Sequence, residues 1–98
     1  MKTQFGYSIS WSSFQEIISK SGLAEKFGFD SIWYHDHLMI PSNAPVLESF
    51  SLLTALAGKT TNCKIGQTIV DTSRSHPATN AHSALSINHI SNGRAFVV

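Results

Sequence analysis

Residues 28–37 read GFDSIWYHDH, and this stretch decides the fold of the chain. From Ser31 a short apolar and aromatic run, typical of a buried strand, turns polar at its carboxyl end, where His35 and His37 flank Asp36. In parallel α/β proteins ligands bind at the carboxyl ends of strands, because loops converge there while helices cover the sides of the sheet. The stretch therefore predicts a strand with a candidate site at its end.

The composition is that of a small globular domain, with 98 residues, 42% hydrophobic and 13% charged residues, and a formal net charge of +1. A charge this low and this mixed lacks the basic face that nucleic-acid binding needs. No apolar run approaches the ~20 residues of a membrane span, and the first residues lack the apolar core of a signal peptide. The single cysteine, Cys63, excludes an internal disulfide and is expected to be a core or surface thiol. We therefore expect a cytoplasmic protein that binds neither nucleic acid nor membrane.

Strands and helices alternate along the first part of the chain. Residues 5–9 alternate apolar with small or polar side chains and predict the first strand. Ser13 and Glu16 fit a capping box, in which each side chain accepts from the other's backbone amide, so a helix is expected to follow. The predicted buried stripe of this helix is Phe14, Ile17, Ile18, Ser21, Ala24 and Phe27. Gly28 then lies where a left-handed backbone ends a helix at little cost.

The same alternation continues after the second strand. Residues 38–45 predict a long, partly apolar loop of the kind that closes over something. A helix over about 47–59 follows, with Phe50, Leu53, Leu56 and Ala57 as its predicted buried stripe. Residues 64–70 predict the third strand, and residues 71–75 its exit loop.

A third helix and a fourth strand complete the pattern. Pro77 is typical of a first helical position, with His76 or Ser75 as the cap before it. The predicted inner face of the helix is Ala78, Ala81, Ala84, Leu85, Ile87 and Asn88. Asn92 and Gly93 end the helix, and residues 94–98 begin a fourth strand.

The order βαβαβαβ, with short returns, predicts right-handed crossovers and a parallel sheet. A doubly wound sheet and a (β/α)8 barrel both have this order, but residues 10–13 (SWSS) lack the glycine-rich phosphate loop of a dinucleotide fold. No helix follows residues 94–98 to cover the last strand. We therefore expect an α/β fold, the N-terminal half of a (β/α)8 TIM barrel, as one partial domain over residues 1–98 that is truncated after its fourth strand.

The ordered motifs resemble the bacterial luciferase-like superfamily of flavin- and deazaflavin-dependent oxidoreductases. The resemblance covers nearly all 98 residues, and its matching segments are residues 28–33, 36–37, 53–60, 65–66, 76–78 and 90–94. It implies a (β/α)8 barrel, a small-molecule substrate, and FMN or coenzyme F-420 as the cofactor. With a flavin the implied reaction is monooxygenation, and with a deazaflavin it is reversible hydride transfer. Residues 71–77 resemble the deazaflavin-using members somewhat more.

The resemblance also implies roles for a few residues. His37 matches a histidine that moves protons beside the reactive ring, a suitable role because an imidazole titrates near neutrality. Thr68-Ile69 fall where the family has a non-prolyl cis peptide against the back of the ring. Further cofactor contacts are expected from Ser8, Asp36, Asp71 and Thr72. For Asp36, hydrogen bonding to loop amides is an equally good interpretation, and Arg74 could hold an acidic part of the cofactor or lie in solvent.

Three interpretations remain open from the sequence: a fragment of an oxidoreductase, a non-catalytic half barrel and a metal-dependent hydrolase. A complete barrel needs roughly 250 residues, so we expect the isolated chain to be inactive as an enzyme. It could instead be a non-catalytic half barrel that self-associates through its open edges, and a homo-oligomer is expected. His35 and His37 point the same way along a strand and could hold zinc in a metal-dependent hydrolase, but two ligands are too few, so no metal is expected.

Overall fold

The computed structural model describes residues 2–41 and 43–97. The elements along the chain are β1 (Gly6–Ser8), α1 (Phe14–Lys26), β2 (Ser31–His35), α2 (Ser49–Lys59), β3 (Lys64–Thr68), α3 (Pro77–Ile90) and β4 (Ala95–Val97). This order confirms the predicted alternation of four strands and three helices. The strands are shorter than predicted, and the part of the predicted fourth strand at Val98 lies outside the described residues. No helix in the described ranges is long and apolar enough to cross a bilayer.

The four strands form one parallel sheet in the order β1-β2-β3-β4, as predicted. The register places Trp33 of β2 between Ser8 of β1 and Gly66 of β3, and His35 beside Thr68. The last residues of β1, β2 and β3 therefore lie along one edge of the sheet.

Alternation along the central strands divides the sheet into two faces. Ile32 and Tyr34 of β2 and Ile65 of β3 are fully buried against the helices. The hydroxyl of Tyr34 accepts a hydrogen bond from the Leu47 amide (3.0 Å) and donates one to the Leu47 carbonyl (3.2 Å). This pair of bonds fixes the chain that leads into α2 against the strand. The opposite face carries the other side chains of the strands, including Trp33 and His35.

The ends of α1 differ from the prediction. Ile17, Ser21 and Ala24 are buried as expected, but Phe14 and Phe27, at the two ends of the predicted stripe, are exposed. The buried positions thus lie between Ile17 and Ala24, and the aromatic side chains at the two ends of the predicted stripe lie outside this buried segment. Only half of the predicted capping box forms among the described residues, since the Ser13 hydroxyl accepts from the Glu16 amide but Glu16 does not bond back.

The second helix begins two residues later than predicted, at Ser49. The carboxylate of Glu48 accepts from the amides of Phe50 and Ser51, so Glu48 is the cap. The buried face includes the predicted Leu53, Leu56 and Ala57 and also Ser49 and Leu52, which the sequence interpretation omitted.

The predicted inner face of α3 was largely wrong. Among the described residues only Ile87 of that set is buried, and the side chain of Leu85 is 68% exposed. The helix packs against α2 and the edge strand β4, so the side of α3 away from α2 is uncovered. The prediction of its start is confirmed, since the His76 ring accepts from the Ala78 amide at 3.0 Å.

Trp33 lies across the face of the sheet opposite the helices, in space left by two glycines. A Cβ atom on Gly66 would lie 2.8 Å from the Trp33 ring and 2.7 Å from the Phe96 carbonyl oxygen, and one on Gly6 would lie 2.9 Å from Trp33 Nε1. The indole stacks on Phe96, with 6.0 Å between ring centroids, and donates to the Ser31 hydroxyl. Trp33 is therefore a packing residue.

Two charged side chains close the turn between α2 and β3, and sequence reasoning found neither of them. The Glu25 carboxylate accepts from the three consecutive amides of residues 61–63. The Arg94 guanidinium donates to the carbonyls of Ala57 and Thr60 at the end of α2, where the helix dipole favours a cation, and to the carbonyl of Cys63 before β3. Partial burial acts to raise the pKa of Glu25, but the hydrogen bonds from these amides outweigh it and lower the pKa to about 2.

Candidate functional site

The carboxyl ends of the first three strands bring together two hydroxyls and an imidazole. His35 Nε2 lies 3.1 Å from the Ser8 hydroxyl of β1, and His35 Nδ1 lies 3.1 Å from the Thr68 hydroxyl of β3. Each ring nitrogen therefore meets one hydroxyl on a neighbouring strand. We call Ser8, His35 and Thr68 the hydroxyl–imidazole row, and we call this edge of the sheet, with His37 and Ile69, the mouth.

His37 lies on the same side as His35, as predicted from their spacing. Its side chain is exposed, and its ring centroid is 6.4 Å from that of His35. Trp11, in the segment after β1, contacts both rings, edge-on to His37 at 5.2 Å and tilted against His35 at 5.7 Å. The contact with Trp11 restricts the orientations of an otherwise exposed imidazole.

The peptide bond between Thr68 and Ile69 is cis, which confirms this feature of the sequence prediction. The Ile69 side chain is 71% exposed at the end of β3. An aliphatic surface thus lies beside the hydroxyl donors of the row. This combination suits a flat ring that has an apolar face and a polar, acceptor-rich edge.

Asp36 points away from both histidines. Its carboxylate accepts from the Asp71 amide at 2.7 Å and from the Ser49 hydroxyl at 2.9 Å, and it pairs with Arg74. Partial burial acts to raise the pKa of Asp36, but these hydrogen bonds, from the Asp71 amide first, keep the pKa below its ordinary value. The Ser49 hydroxyl in turn accepts from the side-chain amide of the buried Gln67. Asp36 therefore ties the ends of β2 and β3 to the start of α2.

Arg74, which pairs with Asp36, also holds the loop after β3. Arg74 bridges Asp36 and Asp71, with 3.1 Å from its Nε to the Asp71 carboxylate. The Asp71 carboxylate also accepts from the amide and hydroxyl of Ser73. Thr72 lies exposed in this loop. Arg74 is thus engaged within the chain, while cofactor contacts from Asp36, Asp71 and Thr72 remain predictions.

From the sequence, His35 was considered only as a metal ligand. Its position two residues before His37 indicated that the two rings lie on the same face of the sheet. Its two hydroxyl partners could not be predicted, because they depend on the register between strands. Among the described residues no group of three histidine, cysteine or acidic side chains could hold a metal ion, so the hydrolase alternative gains no support.

The only cysteine of the sequence lies away from the mouth. Cys63 is buried, so the prediction that it is a thiol outside the chemistry is supported. Burial is the largest cause that raises the pKa of this thiol, to about 11, and the Glu25 carboxylate adds to it. A thiol this weakly acidic is a poor nucleophile at neutral pH.

The chain is thus a parallel α/β sheet with histidines at the carboxyl ends of its strands and a fold shared with (β/α)8 barrels. The chain belongs to the luciferase-like monooxygenase family, which matches residues 2–98. It is 39% identical over 75 residues to a 5,10-methylenetetrahydromethanopterin reductase of Methanolobus tindarius, an alignment that covers 76% of this chain and 21% of the relative.

Solved structures agree with this assignment. The chain superposes with a TM-score of 0.89 and 29% identity on an F-420-dependent secondary alcohol dehydrogenase in complex with an F-420–acetone adduct, covering 99% of this chain and 31% of that one. With the coenzyme F-420-dependent tetrahydromethanopterin reductase of Methanopyrus kandleri the TM-score is 0.85 and the identity 26%, covering 99% and 26%. The match confirms the predicted (β/α)8 fold class. The chain spans about a fifth of the curated relative and about a quarter to a third of the two solved structures.

Proposed function

We propose that this chain is the part of a barrel oxidoreductase that supports a redox ring and exchanges a proton with the substrate. Coenzyme F-420 is the proposed cofactor, with FMN as the alternative. Support comes from relatives of 26% and 29% identity that are described with F-420, and from membership of a family of oxidoreductases. The observation that carries the proposal is the juxtaposition of an exposed Ile69 after the cis peptide with the histidines at the ends of adjacent strands.

The residues of the mouth fit such a ring. Ile69 would support its apolar face, and the hydroxyls of Ser8 and Thr68 would bond its polar edge. The cofactor, when bound, supplies hydride transfer in the case of F-420 and oxygen chemistry in the case of FMN. An imidazole such as that of His37 can accept a proton on one ring nitrogen and later donate it, which general acid–base chemistry requires. Trp11 keeps the ring of His37 directed toward the mouth.

We also propose that the chain is a partial barrel domain that acts in a reducing cytoplasm. In (β/α)8 barrels a phosphate site is frequently formed by the loops after the seventh and eighth strands, whereas this chain provides the ends of four strands. We therefore propose that the chain alone binds the ring saturably but less tightly than a complete barrel would, and we do not expect turnover from it.

Fluorescence titration of coenzyme F-420, and separately of FMN, against the 98-residue chain tests the proposal. We expect saturable binding that Ile69→Ala weakens by about tenfold, because contact with an aliphatic side chain contributes roughly that much to affinity. Leu85→Ala is the matched control, since Leu85 is similarly exposed (68% against 71%) but lies on α3. Absence of saturable binding, or equal weakening by both substitutions, would contradict the proposal.

Self-association is a second candidate function, favoured by the edges of the sheet. Within the described residues β1 and β4 each pair on one side only, and Phe5 and Phe27 are exposed near β1. Unpaired edges beside exposed apolar side chains favour pairing with another chain. Light scattering after size exclusion should show a homo-oligomer that Phe27→Lys weakens and Leu85→Lys does not. A monomer at about 100 μM would remove this candidate.

A further inference from the structure

We propose that His35 is a positioning residue whose protonation state sets how many hydroxyl donors Ser8 and Thr68 present to a ligand in the mouth. The inference rests on the proposed function, because the ligand it concerns is the ring proposed to bind there. It adds a chemical preference to that site, namely for an acceptor-rich or anionic ring edge.

The argument is a count of protons in the hydroxyl–imidazole row. Both contacts of His35 measure 3.1 Å, and each needs one proton between its two heavy atoms. When the ring is neutral, one nitrogen donates to one hydroxyl and the other nitrogen accepts from the second hydroxyl. Exactly one hydroxyl proton is then free to point elsewhere. When the ring is protonated, both nitrogens donate, and both hydroxyl protons are free.

The neighbours of His35 leave these two states available. Ser8 and Trp11, from β1 and the segment after it, are uncharged, as is Thr68 from β3. The titratable group that faces the ring is His37, at 6.4 Å between centroids. Within the described residues no carboxylate bonds to His35, because Asp36 points the other way and pairs with Arg74. Among these residues no ion pair therefore fixes the charge of His35.

A ligand in the mouth would therefore meet one donor when His35 is neutral, and two donors with a positive charge behind them when it is protonated. Carbonyl oxygens and deprotonated ring nitrogens of a ligand would bind more tightly with the second donor and with the positive charge behind it, since hydrogen bonds to charged groups are stronger than neutral ones. Affinity for such a ring edge should therefore be higher when His35 is protonated than when it is neutral. His35 would act through Ser8 and Thr68 and not by contact with the reacting atoms.

The first arm of the test needs no cofactor. The side-chain ¹⁵N shifts of the histidines in the full chain report tautomer and hydrogen bonding at each ring nitrogen. Ser8→Ala should change the shift of His35 Nε2, and Thr68→Val that of His35 Nδ1, with His82 on α3 unchanged as the sign that the fold is intact. If neither substitution changes the tautomer balance or titration of His35, the proposed coupling is overturned.

The second arm measures F-420 binding at pH 5.5 and pH 8 for the wild-type chain and for His35→Gln, an uncharged side chain that retains a donor and an acceptor. We expect the affinity of the wild type, divided by that of His35→Gln, to be about tenfold higher at pH 5.5 than at pH 8. Titration of the ligand is common to both proteins and cancels in this ratio, and the ¹⁵N shifts of His37 in the first arm report its own titration in each protein. A ratio that does not depend on pH overturns the inference, whereas no binding by the wild type at either pH refutes the proposed function and leaves the first arm to decide the donor count.

Discussion

At the scale of single residues, neighbouring side chains of β2 point to opposite faces of the sheet. Ile32 and Tyr34 point into the core, while Trp33 and His35 point to the opposite face. Beyond the strand, Asp36 and His37 continue this division, with the carboxylate bonded behind the sheet and the imidazole at the mouth. One carboxylate between two histidines is thereby kept out of contact with both.

Glu25 provides a residue-scale prediction about stability. Its pKa of about 2 in the folded chain lies below its ordinary value of 4.5, so folding favours the charged form. The stabilisation is complete above pH 4.5 and is lost as the pH falls from 4.5 to about 2. Glu25→Gln should lower the free energy of unfolding at pH 7 by about 1–2 kcal/mol, a figure reduced for solvent screening.

Urea unfolding at pH 7 and pH 3 measures this contribution. Glu16→Gln is the control, because Glu16 is an exposed carboxylate on the same helix that does not bind the turn at residues 61–63. The difference between wild type and Glu25→Gln should shrink at pH 3. A difference that is equal at the two pH values would show that the carboxylate charge is not what these amides bind.

At the scale of secondary-structure elements, the glycines that flank Trp33 set how closely the strands and the indole approach. Gly66→Ala should destabilise the chain by about 2 kcal/mol, because the new methyl group would meet the Phe96 backbone at 2.7 Å and the Trp33 ring at 2.8 Å. Gly22→Ala is the matched control: nothing lies within 4 Å of its Cβ, and alanine favours the helix by about 0.5–1 kcal/mol. Thermal unfolding should therefore show shifts of opposite sign, and two shifts of the same sign would contradict the packing described.

Arg94 supports a second element, the carboxyl end of α2. Lysine at this position cannot reach the carbonyls of Ala57, Thr60 and Cys63 together, since it has one donor nitrogen where arginine has three. Arg94→Lys should cost about 1–2 kcal/mol in the free energy of unfolding, whereas Lys20→Arg, on the exposed side of α1, should change it by less than about 0.5 kcal/mol. Hydrogen exchange should locate the loss at the last turn of α2, and unchanged protection there would show that the cap is not needed.

The elements and their order were predictable because periodicity and caps are local. The strand at residues 31–35, the Ser13 and His76 caps and the cis peptide position all followed from the sequence and its family resemblance. The exposed side of α3 was not predictable, because burial depends on which elements pack beside it. The hydrogen bonds of His35, Glu25 and Arg94 were missed for the same reason. Their main partners lie 27 or more residues away along the chain, so only the folded arrangement of strands and helices brings them together.

At the scale of the whole molecule, Cys63 can report how the chain opens. The thiol is buried and its pKa is raised to about 11, so an aromatic disulfide reagent at pH 8 should react with it at least about 100-fold more slowly in the native chain than in urea. Gly66→Ala should raise the native rate by about tenfold for each ~1.4 kcal/mol that it removes from the free energy of unfolding. A native rate near that of the unfolded chain would mean that the core around β3 is open in solution.

The two directions taken by side chains of β2 have a consequence for how this sequence tolerates change. Because neighbours in a strand alternate between faces, a substitution at position 35 could retune ligand preference without touching the hydrophobic interior. A single inserted or deleted residue within the strand would instead exchange the two sets and bury the imidazole where the phenol of Tyr34 belongs. The end of this strand should thus accept a new side chain more readily than a new length.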